Sequence, residues 1–230
     1  MNQTPAVSVL IAASGALPHL PHAIETIQRQ TLADWELILI LNGCADDSAR
    51  WLEALHEERL RMLVHPPLGM AAALNVGLAH CRAELVARLD ADDAAEPELL
   101  AAQHAFLLAQ PAIAVVGSQA TLIDDAGRVV GAYNAPTDPA EIRRRMFRQN
   151  CLIHTTVMYR KSVVLDAGGY NPQFPIAADY DLFLRLNARA QFANLPERSN
   201  RYRVHSAQAT GQSRLINAVM CYTARVRVVR

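Results

Sequence analysis

Glu84-Leu85-Val86-Ala87-Arg88-Leu89-Asp90-Ala91-Asp92-Asp93 is a strand-length apolar run that ends in three carboxylates. Side chains along a strand repeat every two residues, so Asp90 and Asp92 are expected on the same side of its C-terminal end. Two carboxylates that close repel unless a cation or a donor network holds them. Hard oxygen ligands suit Mn²⁺ or Mg²⁺, and Mg²⁺ commonly combines one or two carboxylates with the phosphates of a substrate. Strand ends are also where open α/β sheets bind their ligands. The same residues also read as a polar strand-to-helix loop, one Asp capping a helix that starts near Pro97. Asp-x-Asp is short enough to arise by chance, so the neighbouring segments have to decide.

Working outward, Val7–Ala12 is a continuous β-rich run, as a strand buried on both faces would be. Leu20, Ala23, Ile24 and Ile27 recur at helical spacing, with Pro21 suited to a first turn. Trp35–Leu41 is a second strand ended by Asn42-Gly43, and Asp46 or Asp47 can cap a helix reaching about His56. Leu60–Val64 is a third strand, Gly69–His80 an Ala-rich helix and Leu85–Leu89 a fourth strand. This β-α-β-α-β-α-β alternation is the mark of a parallel sheet with helices on both faces. Downstream, Glu98–Gln110 reads as a helix, and Ala112–Ile123 and Val129–Tyr133 as strands around a turn at 124–127. Asp138-Pro139-Ala140-Glu141 is a helix start, Thr155–Tyr159 is strand-like, and Asp179–Ala190 is helical.

No Gly/Ser/Pro-rich linker interrupts the chain, so residues 1–212 are expected to form one domain, with 213–230 a basic amphipathic tail. Arg214, Arg225, Arg227 and Arg230 in that tail suit either a packed last helix or peripheral contact with an anionic membrane. At 230 residues, 51% hydrophobic, the chain can build a proper core. Its 22 basic and 22 acidic residues balance, which gives no reason to expect nucleic-acid binding. Cys44, Cys81, Cys151 and Cys221 are widely spaced with no Cys-x-x-Cys pair, fitting free thiols in a reducing compartment. With no signal-like start and only strand-length apolar runs, a cytoplasmic location is expected, with the inner membrane face as a peripheral site.

Four segments in order resemble the inverting glycosyltransferases of family 2, which have the GT-A fold. They are Val7–Ile11 with Trp35–Gly43; Gly69–Leu78 leading into Ala87–Asp93; Ala178-Asp179-Tyr180-Asp181-Leu182-Phe183-Leu184-Arg185-Leu186; and Tyr202-Arg203-Val204-His205. The resemblance implies a GT-A-like α/β domain whose N-terminal half holds a nucleotide-diphosphate sugar and whose C-terminal half holds the acceptor. The acceptor class it implies is a glycan or lipid-linked sugar in cell-surface polysaccharide or lipopolysaccharide assembly. By the same resemblance Asp92 is a metal ligand, and Asp90 contacts the ribose or the metal's water shell. Asp93 stands with them on the donor side, His205 supplies a further ligand for Mn²⁺ or Mg²⁺, and Asp179 is the general base. Asp179 also reads as an ordinary first-turn Asp, and His205 as a surface or core histidine. Asp181 and Arg185, four apart, read as a helical ion pair, and His154 is a candidate for the acceptor side.

The chain departs from the family pattern at three places. Leu41-Asn42-Gly43-Cys44 stands where Asp-Asp-Gly-Ser is usual, so Asn42 is left to meet the base through an amide that both donates and accepts. Leu74-Asn75 replaces Arg-Asn, and Ala178 replaces the Glu before the base. Two other readings stay open: a non-catalytic relative, and a sugar-phosphate nucleotidyltransferase. The second would need a basic Gly-rich loop after the first strand, whereas Ala12-Ala13-Ser14-Gly15-Ala16 has neither Lys nor Arg.

Overall fold

The computed structural model describes residues 4–14, 18–205, 221 and 223. Its first part alternates as the apolar pattern predicts: β1 (Val7–Ala13), α1 (Leu20–Gln28), β2 (Trp35–Asn42), α2 (Ser48–Ala54), β3 (Leu60–His65), α3 (Met70–His80) and β4 (Leu85–Arg88). β1 lies between β2 and β4, and β2 pairs with β3, all parallel. Every residue of β1 and β2 is buried, which explains why these strands read as unbroken apolar runs rather than alternations. On one face, Leu10, Ile38 and Ile40 pack with Leu74 and Leu78 of α3. On the other, Val9, Ile11 and Leu39 pack with Leu20, Ile24 and Ile27 of α1.

Gly77 sets how closely α3 approaches the sheet. A β-carbon there would lie 2.3 Å from Leu10 Cδ1 and 2.4 Å from Ile40 Cδ1. Both neighbours are fully buried, so neither side chain has room to swing away. Gly77→Ala is therefore expected to destabilise the domain by about 1–3 kcal/mol, the usual cost of overpacking. Thermal unfolding should show a clear drop in midpoint; an unchanged one would mean that α3 can lift off the sheet.

The chain continues through β5 (Ala94–Ala95), α4 (Leu99–Ala109), β6 (Ile113–Ile123), β7 (Val129–Tyr133) and α5 (Pro139–Arg145). A 3₁₀ turn (His154–Thr156), β8 (Met158–Arg160), α6 (Lys161–Asp166), α7 (Ala178–Asn187) and β9 (Gln191–Arg203) follow. All nine strands form one sheet, ordered β3-β2-β1-β4-β8-β6-β9-β5 with β7 on β6. β8 extends the parallel half by pairing antiparallel with β4 and β6, and β9 runs parallel to β6. Residues 7–203 thus share one sheet, while the expected boundary at 212/213 and the basic tail lie outside the described residues apart from 221 and 223.

The helix start at Asp138 works as read. Asp138 caps α5 by accepting the Glu141 N–H at 2.7 Å. Gly168 and Gly169, at φ +85° and +68°, end α6. The strand expected over Thr155–Tyr159 shrinks to Met158–Arg160, because both threonines bond elsewhere. Thr156 Oγ1 donates to the Ile153 carbonyl at 2.9 Å and Thr155 Oγ1 accepts the Asp90 N–H at 2.9 Å, contacts that compete with a ladder. β9 was hidden by its polar composition and internal Pro196. Its pairing with β6 shifts register three times, which lets the irregular segment stay on the sheet.

Candidate functional site

The acidic segment differs from the expected strand end. β4 stops at Arg88, opposite Leu10 of β1, and the Asp90 N–H turns away to Thr155 Oγ1. Residues 90–93 then close a turn in which the Asp93 N–H meets the Asp90 carbonyl at 3.3 Å. Asp90 and Asp92 therefore converge through a turn and not through strand periodicity. The result still brings one oxygen from each of Asp90, Asp92 and Asp93 within 4.8 Å of the others.

Each carboxylate has a distinct environment. Asp93 is 1% exposed; one oxygen accepts the Arg203 N–H at 2.7 Å, and Oδ2 is buried with no well-formed hydrogen bond, beside the Thr155 hydroxyl. Burial, then the charges of Asp90 and Asp92, push its pKa well above the usual carboxylate range. Burial also raises Asp90, opposed by the guanidinium of Arg88, which donates to its Oδ1. Arg88 is itself 1% exposed and also faces the Leu10 carbonyl. Asp92 Oδ2 lies 2.9 Å from His205 Nε2, and the His19 ring lies 6.2 Å from that of His205. Arg203 closes the group from beneath: its Nε donates to the Asp92 carbonyl at 2.8 Å and its Nη1 to the Asp124 carbonyl at 2.7 Å.

This donor set fits a divalent cation. Three crowded carboxylates, one of them bonded to the His205 imidazole, are donor types suited to Mn²⁺ or Mg²⁺.

A fourth carboxylate, Asp179, comes from α7. Asn150 Nδ2 donates to Asp179 Oδ2 at 2.9 Å, and both residues line the cavity. Burial raises the pKa of Asp179 and the charge of Asp90 adds to it, while the Tyr180 N–H and Asn150 oppose the rise. The entry to α7 is strained: Ala177 sits at φ +63°, a left-handed conformation that costs a residue with a β-carbon about 1–2 kcal/mol. Asp90, Asp179, Asn150, His154, Thr155 and Arg88 all line one cavity of about 520 Å³, whose remaining wall is largely apolar.

The other expected residues fall into place unevenly. Asp181 pairs with Arg185 at 2.9 Å, and Arg185 also donates to the Gly169 carbonyl, so this pair fastens α7 to the end of α6. His154 lies on the cavity wall, its Nε2 2.9 Å from Tyr170 Oη. Burial and the nearby Arg88 push its pKa well below the usual histidine range. Asn42 is buried at the end of β2, where its Oδ1 accepts the Leu68 N–H at 2.8 Å. One lone pair of the oxygen is thereby engaged by the chain, and the amide keeps a second lone pair and its NH₂ group. Asn75 is bonded to both the N–H and the carbonyl of Tyr170, a backbone clamp between α3 and the segment after α6.

The residues missed by sequence reading are Arg88, Asn150, Thr155 and Arg203. Arg88 carried a signal, a lone cation inside an apolar strand, which demands a buried partner. Asn150 and Thr155 carried none, because their roles arise only when the loop before β8 folds across the end of β4.

The family profile described as Glycosyl transferase family 2 matches residues 8–167. The chain belongs to this family. O-antigen biosynthesis glycosyltransferase WbnJ of Escherichia coli is 31% identical to this family 2 chain over 207 residues, covering 87% of it and 80% of the relative. Amylovoran biosynthesis glycosyltransferase AmsE of Erwinia amylovora is 28% identical over 183 residues, covering 78% and 68%. Among solved structures, S. aureus TarS 1-349 in complex with UDP-GlcNAc aligns with a TM-score of 0.72 at 17% identity, over 88% of this chain and 59% of that one. Mannosyltransferase PcManGT from Pyrobaculum calidifontis, in complex with GDP-Man and Mn²⁺, aligns with a TM-score of 0.72 at 16% identity, over 98% and 65%. This chain thus spans under two thirds of either structure, and at such identity the likeness is one of fold. The α/β domain is that of a GT-A glycosyltransferase. The family match ends before Asp179 and His205.

Proposed function

We propose that this glycosyltransferase moves a sugar, with inversion, from a nucleotide-diphosphate donor to the hydroxyl of a glycan or lipid-linked acceptor in cell-surface polysaccharide assembly. The observation that carries this reading is the shared cavity, with Asp90 on one side and Asp179 on another. In this reading Asp92 and His205 would hold Mn²⁺ or Mg²⁺, with Asp93 on the donor side beside them. When bound, such a cation supplies positive charge against the diphosphate oxygens as the glycosidic bond breaks. Asp90, kept in place by Arg88, faces the donor ribose. Asp179 takes the proton of the acceptor hydroxyl as it attacks the anomeric carbon from the side opposite the leaving diphosphate. The apolar wall limits water, the competing nucleophile.

The relatives' roles in O-antigen and amylovoran biosynthesis support the setting. Among the described residues no helix is long and apolar enough to cross a membrane. Thermal shifts against UDP-, GDP-, dTDP- and CDP-sugars, with and without Mn²⁺, test the reading: a donor that stabilises only with metal supports it, and no stabilisation by any donor refutes it.

Asn42 offers a sharper test of the nucleotide site. Asn42→Asp keeps an oxygen for the Leu68 N–H and adds a charged acceptor where the amide had a donor. Preference for UDP over GDP, read as the ratio of calorimetric affinities, is expected to rise. A constant ratio would take Asn42 out of base recognition and leave it as the tether of the 66–69 loop.

A further inference from the structure

α5 ends in a concentrated basic face remote from the acidic turn in sequence. Arg143, Arg144, Arg145 and Arg148 are exposed, and with Glu141 and Phe147 they line one groove of about 680 Å³. Among the described residues the Arg145–Glu141 pair, at 2.7 Å, is the one ion pair within the groove. Phe147 is 41% exposed amid these guanidinium groups, an unusual place for a large aromatic. The groove is not a loose loop. Ile142 and Met146 beneath it are fully buried, Tyr180 Oη donates to the Met146 carbonyl at 2.7 Å, and Asn187 Nδ2 donates to the Arg143 carbonyl at 3.2 Å. Both anchoring side chains belong to α7, which also carries Asp179, and Asn150 follows the groove directly.

We propose that this groove docks the protein on an anionic phospholipid surface. Clustered guanidiniums bind phosphate oxygens in pairs, and an aromatic set among them suits the boundary between headgroups and acyl chains. The chain as a whole is neutral, so the attraction is local and fixes an orientation rather than a general affinity for polyanions. Docking there would place against the bilayer a segment bonded to α7, the helix that carries Asp179, the base of the proposed reaction. That last consequence rests on the proposed transferase reading; the docking itself does not.

The test is sedimentation of the full chain with phosphatidylcholine vesicles, with and without phosphatidylglycerol. The wild type is expected to bind only the anionic vesicles and to be released by high salt. Arg143→Gln/Arg144→Gln/Arg148→Gln should weaken partitioning by about 10²-fold, at roughly fivefold per arginine near the surface. Phe147→Ser should weaken it several-fold, whereas Arg29→Gln/Arg50→Gln/Arg61→Gln, with the same loss of charge elsewhere, should bind as wild type. Transfer to a water-soluble acceptor should be unchanged in the groove variant, which also certifies its fold. The proposal is overturned if the wild type ignores anionic vesicles, or if the groove variant binds as well as wild type, placing the contact elsewhere. It is overturned equally if the control variant loses as much, or if single-stranded nucleic acid displaces the vesicles and Phe147→Ser has no effect. Vesicle binding without any sugar transfer would instead count against the transferase reading alone.

Discussion

Asp179→Asn should lower the transfer rate by about 10²–10⁴ while leaving donor affinity within a few-fold of wild type, the usual signature of a lost general base. The Asn amide oxygen can still accept the Asn150 N–H, and Asn is well tolerated near a helix start, so shape and melting temperature should change little. What is lost is an atom that accepts a proton at neutral pH. The raised pKa of Asp179 makes a second forecast in the wild type. The base works only when deprotonated, so activity should fall on acidification at a pH above the ordinary carboxylate range, and this limb should vanish in the mutant. Single-turnover rates across pH would check both. Near-wild-type transfer would end the assignment and shift attention to His154, because Asp181 is engaged with Arg185.

Asp92→Asn should remove most of the metal dependence of donor binding. Asp92 is the carboxylate set against His205, and it is partly exposed, so a cation and a diphosphate can reach it. Its neighbours cannot easily substitute: Asp90 is held by Arg88, and Asp93 is buried on the Arg203 backbone. Calorimetry with a nucleoside diphosphate should show an Mn²⁺-enhanced affinity in the wild type that is largely absent in the variant. The loss of one like charge should leave the fold intact or slightly firmer, since Asp90 and Asp93 both feel Asp92 as a repelling neighbour. Unchanged metal-dependent binding would locate the cation elsewhere.

The parts of the fold carried by burial on both faces were legible in the chain. β1, β2 and α1 show it best, since their apolar spacing leaves few other structures open. β9 was not legible because a strand rich in Asn, Glu and Arg is specified by its neighbour β6, not by its own pattern. In the site, Asp90, Asp92, Asp93, Asp179 and His205 were nameable from residue type and from likeness to a family. The reason the acidic residues converge was not, since it depends on the Thr155 hydroxyl taking the Asp90 N–H across 65 residues of sequence. Asn150 was equally silent, being one amide in a polar loop until it meets Asp179.

The bond from the Arg203 N–H to Asp93 joins residues 110 positions apart. During synthesis the acidic turn therefore leaves the ribosome well before the strand that will hold it. Until β9 docks beside β6 and β5, Asp93 has neither that backbone donor nor the Arg203 guanidinium against the Asp92 carbonyl. His205, two residues past Arg203, arrives with the same strand. Loop-closure entropy puts such long-range pairings late. The nascent sheet thus carries Asp92 and Asp93 without their native partners until the closing strand arrives.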